Sequence, residues 1–96
     1  MFIERYLSNT KFKLLCDVYD LEYIDSLDID NFNQVYQIFK KYQFYFIDDI
    51  ILNYLEIFEL KPTRVEIKIL ELNKKLGNDF VYIIGNDLRY LEMMLD

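Results

Sequence analysis

Apolar residues recur at helical spacing through the middle of the chain. Starting from Phe32 they fall at offsets of 0, 3, 4, 7 and 10 residues, and starting from Ile47 at offsets of 0, 3, 4, 7, 8 and 11. Each series places its side chains on one stripe of an α-helix. The pattern therefore predicts two amphipathic helices, near residues 30–42 and 47–60. Asp28 or Asp30 is expected to cap the first of them.

A third helix is predicted near residues 63–76. Pro62 rarely continues a helix and therefore separates this segment from the preceding one. Thr63 and Glu66 have the spacing of a capping box, in which each side chain satisfies a free backbone amide. Gly77 follows the last apolar residue of the stripe and is expected to end the helix.

The C-terminal end is predicted to contain two short elements. Gly85 is expected to stop a helical turn or strand that spans residues 79–84. Asn86 would then cap a terminal helix near residues 86–95.

Residues 11–19 fit two kinds of secondary structure. Phe12, Leu14, Cys16 and Val18 alternate with polar residues as in a strand, yet the same segment also has apolar residues at helical spacing. We expect a helix, because no partner strand or tight turn lies nearby.

Together these elements predict that residues 1–96 form one mostly α domain, a compact bundle of four to five helices. The alternative is an α+β fold that pairs residues 11–19 with residues 80–84. The core of the bundle is expected to include Val35, Phe39, Ile47, Ile51, Leu55, Phe58, Ile69 and Leu72.

Charge is distributed unevenly along the chain, whose net charge is −6. Residues 17–60 contain ten acidic residues but only two lysines, Lys40 and Lys41. Such a surface repels nucleic-acid phosphates and anionic lipid, and it attracts basic protein surfaces. The other interpretation is that the charge keeps a chain that is 53% hydrophobic in solution. The acidic belt comprises Asp17, Asp20, Glu22, Asp25, Asp28 and Asp30.

Neither a metal site nor a cofactor site is predicted. Asp28 and Asp30 resemble the opening of a calcium loop, but the sixth and twelfth positions from Asp28 are Asn33 and Phe39 instead of glycine and glutamate. The chain has no histidine and a single cysteine, which excludes an internal disulfide and the usual zinc sites.

Catalysis is not expected either. Without histidine the commonest general base is missing, and the few serines and threonines lie in no recognisable nucleophile motif. No apolar run approaches the ~18 residues of a membrane span, and the N-terminus does not resemble a secretion signal. A cytoplasmic, non-catalytic protein is therefore expected.

Four aromatic residues crowd the connection between the two central helices. This aromatic junction comprises Tyr42, Phe44, Tyr45 and Phe46. In an extended connector Tyr45 would point away from Phe44 and Phe46, so it is predicted to be the exposed interface anchor. Alternatively, the aromatics are core residues enriched by codon bias.

The function predicted from these features is non-catalytic protein binding. The most concrete hypothesis is a small phage or mobile-element inhibitor of a nucleic-acid-handling host defence enzyme, of the anti-CRISPR or anti-restriction type. Phe, Ile, Lys, Asn and Tyr make up 44 of the 96 residues, which indicates an AT-rich gene and fits such a source. The alternatives are a housekeeping adaptor, an obligate homodimer, or a nucleic-acid-binding helical repeat acting through residues 61–76. The predicted partner-binding residues are Asp17, Asp20, Asp25, Asp28, Asp30, Tyr42, Phe44 and Tyr45.

Overall fold

The computed structural model describes residues 1–96 and contains only helices and their connections. The mostly α prediction is confirmed, and the α+β alternative is wrong because residues 11–18 and 80–84 are helical. There are six α-helices and three 3₁₀ helices. This is more than expected, because the predicted 47–60 helix is divided in two and because residues 2–5 and 21–25 form short helices that were not predicted. In chain order the helices are η1 (Phe2–Arg5), α1 (Asn9–Val18), α2 (Leu21–Asp25), α3 (Ile29–Lys41), α4 (Ile47–Asn53), η2 (Leu55–Glu59), α5 (Pro62–Leu76), α6 (Phe80–Asn86) and η3 (Leu88–Leu95).

Helix α3 is the centre of the fold, since it packs against α5, η2 and α4. Its buried stripe is Phe32, Val35 and Phe39, as the apolar spacing predicted. Phe32 stacks on Phe58 of η2 with ring centroids 4.6 Å apart. All eight predicted core residues are buried within a single cluster of 23 apolar side chains. The helix periodicity therefore located the core correctly.

The predicted helix 47–60 is broken at Tyr54, where α4 ends and the 3₁₀ helix η2 follows. In a continuous α-helix the Leu55 amide would donate to the carbonyl of Ile51. It donates instead to the hydroxyl oxygen of Tyr19, at 3.2 Å. The break also lets Ile57 join Leu55 in the core. A hydrogen bond to Tyr19, the C-cap residue of α1, thus accompanies a break in the helix that the apolar spacing predicted.

The predicted capping box at the start of α5 is wrong. The helix begins at Pro62, and Lys61 occupies the N-cap position without a side-chain hydrogen bond. The carboxylate of Glu66 accepts hydrogen bonds from Lys41 and Tyr42, so it is not free to cap the helix. These long-range bonds join α5 to the end of α3.

Two predictions about the C-terminal part are also wrong. Gly85 does not stop a helix, because it lies inside α6. The terminal segment is the 3₁₀ helix η3, and its cap is Asp87, which accepts from the Arg89 amide at 3.1 Å, and not Asn86. Gly77, in contrast, ends α5 with a positive φ of 86°, as predicted.

Candidate functional site

The structure divides the predicted partner-binding residues between the two ends of α3. The acidic belt lies before this helix and in its first turn, and the aromatic junction follows its last residue. Helix α3 has 13 residues, so roughly 20 Å separates its ends at a rise of 1.5 Å per residue. The two groups therefore form two surfaces and not one site.

All six carboxylates of the acidic belt are exposed, and none of them takes part in an ion pair. Elsewhere on the chain several acidic side chains are paired. Examples are Asp48 with Lys11 and Glu66 with Lys41. The belt consequently carries a negative charge that no basic group of the chain offsets.

Two further carboxylates, on η2, lie beside the belt. Asn31 of α3 donates to the carbonyl oxygens of Phe58 and Leu60, at 2.8 and 2.9 Å, and so holds η2 against the start of α3. As a result Glu59 and Asp28 line the same surface cleft. We call the belt together with Glu56 and Glu59 the acidic surface. Sequence reasoning missed both glutamates, because a contact between distant segments leaves no local pattern.

Two tyrosines lie between α2 and η2 on this surface. Tyr19 and Tyr23 stack with ring centroids 5.7 Å apart. The hydroxyl of Tyr23 donates to Glu59. Burial, and then the neighbouring carboxylate of Glu56, raise the pKa of Tyr19 to about 12. Burial, and then the hydrogen bond to Glu59, raise the pKa of Tyr23 as well. Both phenols therefore stay neutral at physiological pH, and the Tyr23 hydroxyl holds the Glu59 side chain in place.

Helix stability explains some of these carboxylates but not all of them. Asp28 caps α3 by accepting from the Asn31 amide at 2.9 Å, and Asp30 lies in the first turn, where the helix dipole favours an anion. Asp17 lies in the last turn of α1 and Asp25 is the last residue of α2. At a helix C-terminus the dipole disfavours a carboxylate. Asp17 and Asp25 thus have no stabilising role in their own helices.

In the aromatic junction at the other end of α3, buried and exposed side chains alternate as predicted. Phe44 and Phe46 are buried, whereas Tyr45 is 67% exposed. Phe44 packs on Phe39 with centroids 5.0 Å apart, so it supports the junction from beneath. Tyr42 is half-buried and its hydroxyl donates to Glu66. Tyr45 is therefore the junction residue that offers a ring to solvent.

Helix α6 approaches the junction closely at Gly85. A Cβ atom added there would lie 2.5 Å from the Tyr45 hydroxyl oxygen and 3.0 Å from Cε1 of Phe46. Only a residue without a side chain fits this contact. A side chain at residue 85 would therefore have to displace the Tyr45 hydroxyl or the Phe46 ring.

A groove of about 320 Å³ opens beside Tyr45. Its two charged groups are Lys40 and Asp48, and Asp48 is bonded to Lys11. The Tyr6 and Tyr36 rings meet in it with centroids 4.7 Å apart. The lining is thus mostly aromatic, and its residues are Tyr6, Tyr36, Lys40, Phe44, Tyr45, Ile47 and Asp48.

Neither surface contains a cluster of three or more residues placed to hold a metal ion. None of the helices combines the length and the apolar character needed to cross a bilayer. Comparison of the chain with protein-family models, with curated proteins and with solved structures gives no match.

Proposed function

We propose that the protein is a non-catalytic interaction domain whose acidic surface binds a basic surface of a partner protein. The observation that carries this proposal is the unpaired belt of six exposed carboxylates. Asp17 and Asp25 add to it, because they lie where helix stability disfavours a negative charge. Carboxylates at these positions leave negative charge exposed, and such charge steers association with a basic partner surface.

In its most concrete form, the partner is a cytoplasmic host enzyme that handles nucleic acid. Such enzymes bind phosphates in basic channels, and a surface dense in carboxylates can occupy the same channel. The AT-rich coding inferred from the composition fits a phage or mobile-element source. The protein would then act as an inhibitor of the anti-CRISPR or anti-restriction type.

A second candidate function is homodimerisation or an adaptor role through the aromatic junction. The observation that favours it is the exposed Tyr45 ring, which lies close to Gly85 and lines the aromatic groove. Large aromatic side chains of this kind commonly anchor protein interfaces.

The inhibitor proposal is tested by DNA cleavage assays on a panel of restriction and CRISPR nucleases. The test variant is Asp17→Lys with Asp25→Lys. The matched control is Asp79→Lys with Glu92→Lys, which changes the net charge equally at exposed carboxylates outside the acidic surface. We expect the native chain to inhibit at least one nuclease in competition with DNA, and less strongly at high salt.

The test variant should inhibit about tenfold less strongly than the control variant. The reason is that binding depends on the charge of the acidic surface and not on the net charge of the chain. Equal inhibition by the two variants, or no inhibition of any nuclease, would contradict the proposal. Loss of inhibition on Tyr45→Ala alone would favour the aromatic junction as the interface.

A further inference from the structure

Exposed aliphatic side chains form two short stripes on different helices. The α1 stripe consists of Leu14 and Val18, one turn apart on α1, and Leu21 at the start of α2. The α5 stripe consists of Ile67 and Leu70. Leu14 and Leu70 are 49% and 48% exposed, and Val18 and Ile67 are 66% and 56% exposed. Leu21 is 54% exposed, so the α1 stripe presents three exposed aliphatic side chains and the α5 stripe presents two.

The charges beside the two stripes have opposite signs. Asp17 and Asp20 lie within the α1 stripe, and the exposed Lys13 beside Leu14 is the last basic residue before Lys40, so the net charge there is negative. Arg64 and Lys74 flank the α5 stripe, one turn before Ile67 and one turn after Leu70, and both are exposed.

The other charges of α5 are largely satisfied within the chain. Lys68 pairs with Glu71 at 3.7 Å, and Glu66 is bonded to Lys41. The guanidinium of Arg64 donates to the backbone carbonyl of Asp96, an interaction on the exposed side of the helix. The outer face of α5 is therefore apolar at its centre and basic at both ends, and its one exposed acidic residue, Glu71, is paired with Lys68.

The two stripes are not mated to each other within one chain, since both remain exposed. Helix α1 packs against α4 and η1, whereas α5 packs against α3, α6 and η3. One molecule thus carries two exposed apolar surfaces whose flanking net charges are opposite in sign. Within one chain the stripes do not contact each other, so the α1 stripe of one molecule can bind an α5 stripe only on another molecule.

We propose that a second copy of the chain docks its α5 stripe on the α1 stripe of the first, in a head-to-tail arrangement. Such a contact joins two different surfaces, so each dimer keeps one free stripe of each kind and can add further copies. This inference goes beyond the proposed function, and it has a consequence for it. The second copy covers part of the acidic surface, so a basic partner must compete with self-association.

Sedimentation equilibrium of the full chain tests the proposal without any partner. Because the stripes are smaller than a standard interface of ~1,600 Å², the concentration series should extend to about 1 mM. We expect the average mass to rise with concentration beyond that of the 11.8 kDa monomer. Leu14→Ser with Val18→Ser, or Ile67→Ser with Leu70→Ser, should each weaken association about tenfold or more.

Mixing the two double variants identifies the head-to-tail geometry. Each retains the stripe that the other lacks, so an equimolar mixture should form a one-to-one dimer that grows no further. Tyr82→Ser is the control, because it removes an exposed side chain outside both stripes. This variant should associate like the native chain. Circular dichroism of each variant checks that these exposed substitutions leave the helices intact.

Three results would overturn the proposal. The native chain could stay monomeric over the whole series, or the double variants could associate as it does. Alternatively, the mixture could remain monomeric, which would mean that the two stripes do not bind each other. Loss of association on Tyr45→Ser, with both double variants unaffected, would move the interface to the aromatic junction.

Discussion

The two ends of α3 differ in how their charges are used. At the C-terminal end, Lys41 donates to Glu66 at 2.7 Å, and Tyr42 donates to the same carboxylate. Nearby, Lys11 is bonded to Asp48. At the N-terminal end the belt carboxylates have no basic partner at all. Charge therefore joins helices at one end of α3 and remains available to other molecules at the other end.

The ends differ in packing as well. The aromatic junction rests on buried rings, since Phe44 contacts Phe39, Phe46 and Phe80. Most belt residues lie on or beside α1 and α2, which contribute only Leu15 and Ile24 to the core. Substitutions at the junction should thus affect stability, whereas most belt substitutions should affect binding.

The largest expected effect is that of Phe44→Ala. Removing this buried ring leaves a cavity among three other aromatic side chains, which should lower the free energy of unfolding by ~3–5 kcal/mol. Urea denaturation measures the loss. Ile29→Ser, at an exposed residue of the opposite end, is the control and should leave stability nearly unchanged. A loss below about 1 kcal/mol for Phe44→Ala would show that the aromatic junction is no better packed than the belt end of α3.

Gly85→Ala should have an intermediate effect. The new methyl group must displace the Tyr45 hydroxyl and the edge of the buried Phe46 ring, and such overpacking costs ~1–3 kcal/mol. The higher helix propensity of alanine offsets up to ~1 kcal/mol of this cost. In a Tyr45→Ala background the destabilisation should be smaller, because one of the two obstructing groups is absent. A double-mutant cycle of urea melts that shows no coupling would refute the contact.

Within the acidic belt, Asp28 and Asp17 should respond in opposite directions. Asp28→Ala removes the cap of α3 and should cost ~0.5–2 kcal/mol. Asp17→Ala relieves an unfavourable helix-end charge and should leave thermal stability unchanged or raise it by less than ~1 kcal/mol. Thermal melts of the two variants at low ionic strength provide the comparison. Equal destabilisation by both would mean that Asp17 is structural too.

The smallest expected effect is on the pH dependence of stability. Hydrogen bonds from Lys41 and then Tyr42 hold the pKa of Glu66 below its ordinary value of 4.5. A lowered pKa in the folded state contributes stability above the unfolded pKa, and this contribution disappears as the pH falls through the folded pKa.

Replacing Glu66 with glutamine should accordingly destabilise the chain slightly at pH 7 and make no difference at strongly acidic pH. Urea melts of Glu66→Gln and the native chain at several pH values measure this. A constant difference between the two proteins across the acidic range would show that the ion pair with Lys41 is not its cause.

Local patterns predicted the helices and the core well, because α3 and α5 have long amphipathic periods that require no knowledge of their neighbours. The Asp28 cap was predictable for the same reason, since its acceptor and donor lie three residues apart. The exposure of Tyr45 followed from simple alternation. Each of these features depends on residues that are adjacent in the sequence.

The features that could not be predicted all depend on distant residues. Tyr19 takes the Leu55 amide and breaks the 47–60 segment. Lys41 donates a hydrogen bond to the Glu66 carboxylate, which therefore does not form the predicted capping box. From the sequence, Gly85 was expected to end a helix. In the structure it lies where α6 comes close to Tyr45 and leaves no room for a side chain. A residue's partners decide its role in these cases, and one sequence does not reveal them.

The belt carboxylates at the N-terminal end of α3 have no ion-pair partner, whereas Asp48 and Glu66 at its C-terminal end are paired within the chain. We infer that only the unpaired group binds a basic partner. An amide NMR titration with a short oligolysine peptide measures this difference. We expect salt-sensitive shifts for residues 17–30 and for Glu56 and Glu59, with little change at Asp48 and Glu66. Shifts of equal size at both ends, or shifts centred on Asp48 and Glu66, would contradict it.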